Sequence, residues 1–192
     1  DGTTYWQTWY NGAGTVPASG INRLYLNDDQ ANDSSTTNVF YPDATKINLN
    51  SGDHFFNGSN PYIAYCFKSI DGFSKVGTYV GNGSNNGTIV EIGFEPAFVL
   101  IKDTSGAHSW TIHDNARDTS NPRKKYVLPS ATNQEAADLN GINFYSNGFQ
   151  LLDSYQYYNQ SGNTYLYFAI AANPDTDAPT LTNSFDIVSY TG

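Results

Sequence analysis

IAYCF (63–67) and LYFAI (166–170) are the two stretches on which the reading of the fold turns. In each, residues alternate as they do along a pleated strand. Ile63, Tyr65 and Phe67 match Leu166, Phe168 and Ile170 on one apolar face, and Ala64 and Cys66 stand against Tyr167 and Ala169 on the other. Working outward from this match, a shift of roughly 103 residues superposes further landmarks in the same order. Trp6 falls on Trp110, Leu24 and Leu26 on Tyr126 and Leu128, Phe40 on Phe144, and Ile47 and Leu49 on Phe149 and Leu151. Each closing strand is followed by the same opening, FSKVGTYVG (73–81) and FDIVSYTG (185–192), the second one residue shorter. The expected organisation is therefore the later part of a first repeat over 1–70 and a complete repeat over 71–172. A Pro/Asp linker over 173–183 and the first strand of a further repeat over 184–192 follow. Such phasing points to a longer parent polypeptide cut out of step with its domains.

Strand signals recur at short intervals between clusters of Gly, Asn, Asp, Ser and Pro. They fall at 5–10, 23–26, 38–41, 46–49, 62–68, 73–80, 88–94, 97–102, 109–113, 125–128, 142–145, 149–152, 164–171 and 184–190. A helical hint at 134–139 is too short to stand alone. The expected fold is all-β: antiparallel β-sandwich, jelly-roll-like repeats of about 100 residues.

Composition narrows the function classes. The 192 residues carry Lys+Arg 9 against Asp+Glu 18, a net charge of −9, which argues against a phosphate-binding surface, since nucleic-acid affinity comes mainly from clustered cations. The one basic run, Arg123-Lys124-Lys125, follows Asn121-Pro122 and reads as a solvated turn entering a strand. A single cysteine, Cys66, rules out an intrachain disulfide and reads as a buried small hydrophobe. The longest apolar run, 165–172, is too short to cross a bilayer of about 30 Å, and no signal peptide or lipidation motif is visible. Aromatic residues at 15% and charged residues at 14% fit a core built on pleated surfaces rather than a disordered chain. The acidity suits a soluble particle-borne or extracellular life.

Four groups of residues invite a chemical reading. GNGSNNG (81–87) lies between two strands with no helix after it, so it reads as a turn rather than a phosphate cradle. His108, Ser109, His113, Asp114 and Asp118 surround Trp110, yet strand alternation sends His113 and Asp114 to opposite faces and no nucleophile elbow exists. Asp28, Asp29 and Asp33 in one loop, and Asp175 and Asp177 in another, are weak calcium candidates because neither stretch has the spacing of a calcium loop. Trp9 and Tyr10, with Tyr155, Tyr157 and Tyr158 in the YQYY run, are candidate glycan contacts, since aromatic rings flanked by Asn, Gln and Asp can stack on and bond to sugar rings. AFVLIK (97–102) is apolar on both faces and reads as a strand covered on both sides. No catalytic residue and no cofactor is expected.

The string FSKVGTYVGNGSNNGTIVEIGFEPAFVLIK (73–102), followed by WTIHD (110–114) and closed by YLYFAIA (165–171), resembles a repeated β domain in virion appendage and tail-fibre proteins of tailed bacteriophages, especially phages of marine bacteria. Nearly the whole chain takes part, and the second closing strand departs from the pattern with Ala169 where Cys66 stands in the first. The resemblance implies a non-enzymatic structural component of a virion, on a tail fibre, tail tip or capsid surface, with a role in host attachment. It supplies no catalytic residues. The expected partners are further copies of the chain, a trimer by the tail-fibre analogy, other virion proteins and a host cell-surface glycan, with no nucleic acid and no membrane insertion. The rival expectation is an extracellular carbohydrate-binding lectin or adhesin of an aquatic bacterium, binding through the same aromatic loops. A glycoside hydrolase would need paired carboxylates in a cleft, for which Glu91 and Glu95 are poorly placed.

Overall fold

The computed structural model describes residues 6–10, 22–32, 40–42, 47–49, 61–174 and 185–191. Among them the chain is entirely β, with fourteen strands. They are β1 (Gln7–Tyr10), β2 (Asn22–Tyr25), β3 (Phe40–Pro42), β4 (Ile47–Leu49), β5 (Pro61–Phe67), β6 (Ser74–Val80) and β7 (Ile89–Glu91). Then follow β8 (Pro96–Asp103), β9 (Thr111–Asp114), β10 (Arg123–Tyr126), β11 (Ala136–Tyr145), β12 (Gly148–Leu151), β13 (Thr164–Ala171) and β14 (Phe185–Thr191).

Two antiparallel four-stranded sheets, β6-β13-β8-β9 and β10-β11-β12-β7, pack as a sandwich. The last strand, β13, inserts between β6 and β8, and β7 lies beside β12. Strands β8 to β12 follow one another, the two sheets being linked at one edge by the Ile112↔Val127 bridge. Period-two alternation explains the core. Tyr165, Tyr167, Ala169 and Ala171 of β13, with Val99 and Ile101 of β8 and Tyr79 of β6, face Ile142, Phe144, Phe149 and Leu151 across the sandwich. Each fully buried large side chain there contributes about 1.5–3 kcal/mol. Tyr79 and Tyr165, paired across β6 and β13, stack with centroids 5.2 Å apart.

The face of β13 that decided the sequence reading is the opposite one. Leu166 joins Leu24 and Trp110 in a second cluster, against which Tyr10, Leu26, Val76 and Leu100 pack. The β1–β2 hairpin thus lies over the outer face of the β6-β13-β8-β9 sheet. This explains why AFVLIK is apolar on both sides: Val99 and Ile101 enter the sandwich, and Leu100 meets the hairpin's layer.

One expectation needs correction. The basic run 123–125 is strand rather than a solvated turn: Arg123 is buried, its guanidinium 4.7 Å from the Phe144 ring, because a planar cation packs on an aromatic face. The helical hint at 134–139 does not stand alone, as expected: Ala136 and Ala137 begin β11 and pair with Tyr126 and Lys125. The strands at 38–41 and 46–49 are seen as β3 and β4, paired with each other.

Candidate functional site

The densest polar constellation lies where β8 runs into the turn leading to β9. A carboxylate followed by Thr-Ser-Gly-Ala bends the chain by accepting backbone N–H groups two and three residues ahead. Asp103 Oδ1 accepts from Ser105 N at 2.8 Å and Gly106 N at 3.1 Å. Its Oδ2 accepts from His108 Nδ1 at 2.8 Å and Asn163 Nδ2 at 2.7 Å. Asp103 is wholly buried, and these four donors are what make a carboxylate tolerable there. Gly106 must lack a side chain, since a Cβ would stand 2.8 Å from the His108 ring and 2.9 Å from Asp103 Oδ2.

Lys102, also wholly buried, turns the other way. Its Nζ donates to the main-chain oxygens of His108 at 2.7 Å, Asp103 at 2.9 Å and Asp29 at 3.0 Å. Burial pushes its pKa down to about 8, opposed by the charges of Asp103, Asp29 and Asp28. The bond to Asp29 reaches into the segment after β2, and further ties run alongside it. Asn32 N donates to Thr104 O at 3.1 Å, Trp110 Nε1 donates to Tyr25 O at 2.7 Å, and Tyr10 shares a side-chain hydrogen bond with Thr104. The β8–β9 turn is therefore a joint at which residues 6–10 and 22–32 are fastened to the sandwich.

His108 is one-fifth exposed and its ring lies 6.2 Å from that of Tyr157, whose own ring is 4.7 Å from Tyr155. The His108–Asp103 pair has the geometry of a base and its orienting carboxylate. None of the hydroxyl hydrogen bonds among the described residues reaches His108, and Ser105 Oγ instead accepts from Thr164 N at 3.0 Å. The pair orders the turn and presents one polar ring beside Tyr157.

The other residues of the His/Asp group are dispersed. His113 is buried between the rings of Tyr126 and Tyr158, each 5.7 Å away, with no hydrogen-bond partner at either ring nitrogen. Burial pushes its pKa down to about 4, the nearby Asp114 opposing. Asp114 bonds to the N–H groups of Ala116 and Arg117 and pairs with the Arg117 guanidinium at 3.1 Å. Asp118 Oδ2 holds the N–H groups of Lys124 and Lys125. Ser109 is half-buried beside Trp110 in the chain.

The candidate glycan residues separate by burial. Tyr158 is wholly buried in the sandwich core, its main-chain oxygen accepting from Tyr79 Oη at 2.6 Å, so it is a core residue and not a glycan contact. Tyr155 and Tyr157 are half-buried and pack against the same core. Trp9 is half-buried on β1 opposite Arg23, and Tyr10, at the end of β1, packs against the Leu24, Trp110 and Leu166 cluster. The reason is local: Tyr165 Oη donates to Gln156 O and accepts from Gln160 N, drawing the loop down onto the sandwich. Trp6, not singled out from the sequence, is 61% exposed and stacks with Tyr65, 48% exposed, at 6.5 Å. From the sequence it reads only as a strand residue within 5–10 matched to Trp110.

Among the calcium candidates, Asp28 Oδ1 accepts from Asp29 N, and Lys102 brings its ammonium to this loop. Asp33, Asp175 and Asp177 lie outside the described residues. Among the described residues no group of three His, Cys, Asp or Glu side chains is placed to hold a metal. The Gly-rich stretch is the expected loop, held by buried Asn159, whose Oδ1 accepts from Asn82 N and whose Nδ2 donates to Asn82 Oδ1, Ser84 O and Asp153 O. Asn159 was missed because a lone Asn in a polar run carries no signal of burial.

Sequence comparison assigns this sandwich to a family. The profile of a domain of unknown function, DUF7483, matches residues 1–174. The chain belongs to the DUF7483 family. The DUF7483 match takes in the β1–β2 hairpin, the joint at Lys102 and the whole eight-stranded sandwich, and stops short of β14. No curated protein and no solved structure matches the chain.

Proposed function

We propose that this chain is a non-enzymatic structural component of a tailed-phage virion, on a tail fibre, tail tip or capsid surface, which acts through assembly and host-surface contact. The observation that carries this reading is a repetition of strand pairing. The shift that aligns the two halves of the sequence sets β3 and β4 on β11 and β12, and each pair forms an antiparallel hairpin. It sets β1 and β2 on the Trp110 and Tyr126 regions, where β1 pairs with β2 and Ile112 bridges Val127. Units of about 100 residues that repeat along a chain suit an extended appendage, because each unit contacts only its neighbours and length grows by addition. The resemblance of 73–102, 110–114 and 165–171 to tail-fibre repeats supplies the virion. Buried ionisable groups at the β8–β9 turn serve to fasten segments, a structural use of charge. Localisation by cryo-electron microscopy of the source particles tests this: density for the sandwich on a tail or capsid supports it, and its absence from particles that contain the peptide only as a contaminant overturns it.

A second reading, an extracellular carbohydrate-binding lectin, is favoured by the exposed Trp6–Tyr65 ring pair. Aromatic faces of this kind stack on the C–H faces of sugars. Binding on a glycan array that is lost in Trp6→Ala supports it; an array without signal overturns it.

A further inference from the structure

β14 lies beyond the stretch that the family covers, and it pairs along its full length with β5. The partner and the register both carry information. In the sandwich the opening strand β6 pairs antiparallel with the closing strand β13, with Tyr79 opposite Tyr165 and Val80 opposite Thr164. The shift that sets β5 on β13 puts Tyr62 on Tyr165 and Pro61 on Thr164. In the β14–β5 pair, Tyr190 stands opposite Tyr62 and Thr191 opposite Pro61. The tyrosine end of β14 therefore occupies, on β5, the position that the tyrosine end of β6 occupies on β13. At the other end the two differ by one residue. FDIVSYTG is one residue shorter than FSKVGTYVG, so Phe185 takes the place of Ser74 rather than of Phe73. Alignment by phenylalanine would put Ile187 opposite Cys66; alignment by tyrosine puts Asp186 there, and that is the pairing observed.

We propose that β14 is an exchangeable opening strand, and that β5 accepts it from a second copy of this chain in the same register, so that copies join by trading strands. A two-stranded ribbon is marginal in water by itself, and the β14–β5 sheet has two strands, with β5 held to the rest through Phe67 against Phe168 at 4.8 Å and Tyr65 against Trp6 at 6.5 Å. A pairing of that kind opens readily and re-forms with whichever copy presents the matching strand. Exchange reproduces the same backbone bonds between chains that it breaks within one, which makes it a low-cost route to association. The segment before β14 carries Pro174 and Pro179 among Asp, Thr and Asn, residues that disfavour extension of either strand into the other. The inference rests on the repeat reading above, but not on where the protein resides.

The chain's single cysteine gives the test. Directly opposed strand residues have Cα atoms about 4.5–5.5 Å apart, inside the window a disulfide accepts. The 192-residue wild-type chain, which offers only Cys66, is mixed with the 192-residue C66S/D186C chain, which offers only the new thiol, and the mixture is oxidised after incubation at high protein concentration. The sulfur–sulfur bond takes its two electrons' worth of oxidation from added oxidised glutathione, and each thiol gives up one proton. The expected result is a disulfide-linked heterodimer on non-reducing gels, reversed by reductant, and much weaker linkage with C66S/I187C, whose thiol points to the other face of the strand. Equal or stronger linkage by the I187C chain overturns the register. A control with D186C in the chain that keeps Cys66 separates the remaining cases: an internal disulfide there, with no heterodimer in the mixture, overturns exchange. No disulfide in either overturns the pairing itself. None of these outcomes bears on the virion assignment, which the particle imaging tests by itself.

Discussion

At the scale of single residues, two buried bases behave in opposite ways. Lys102 is an ammonium enclosed by carbonyl oxygens of the β8–β9 turn and of Asp29, so it fastens the segment after β2 to the sandwich. Lys102→Met keeps the stem's volume but leaves those oxygens without their donor. It is expected to destabilise the protein by about 2–4 kcal/mol, read from denaturant midpoints at an unchanged slope. His113 has no partner at either ring nitrogen and a pKa held down near 4 by burial. In the unfolded chain it titrates near 6.5, so between pH 6.5 and 4 the unfolded state binds the extra proton and stability falls as pH falls. The loss amounts to about 3 kcal/mol and is complete below pH 4. His113→Phe, which suits a site between Tyr126 and Tyr158, is expected to flatten this part of the thermal-melt pH profile. A profile in the variant as steep as in the native chain sinks this account of His113.

At the scale of elements, period-two alternation made the strands legible, and most of those anticipated from the sequence are present close to their expected bounds. What alternation does not reveal is which face of a strand meets which layer. Ile63, Tyr65 and Phe67 led to the match with β13, yet the corresponding Leu166 faces the hairpin's layer while Tyr165 and Tyr167 fill the sandwich. Periodicity is blind here because β13 is apolar on both sides. The joint at Lys102 and Asp103 was illegible for a related reason: a charged pair at the end of an apolar strand reads as a strand terminus until its partners, Asp29 and Asn163, are brought in from distant positions. The Gly-rich loop was legible because its glycines have a steric cause. A Cβ on Gly87 would stand 2.2 Å from Leu151 O. Gly87→Ala must therefore displace backbone, and it is expected to cost about 1–3 kcal/mol, measured by thermal unfolding. A neutral outcome would mean that the loop shifts without loss.

At the scale of the whole molecule, the described strands form one eight-stranded sandwich, a β1–β2 hairpin packed on its outer face, a β3–β4 pair and a β14–β5 pair. Under the proposed repeat reading, an opening strand that copies can trade is suited to build larger assemblies. The virion and lectin readings part company on that point, since a displayed appendage works as a multimer and a lectin of this size can work alone. The measurement that tests the central claim most directly is the mass of the purified 192-residue chain by sedimentation velocity across a wide range of concentration. The account predicts multiples of 21.1 kDa that grow with concentration. A single species at 21.1 kDa throughout would contradict it.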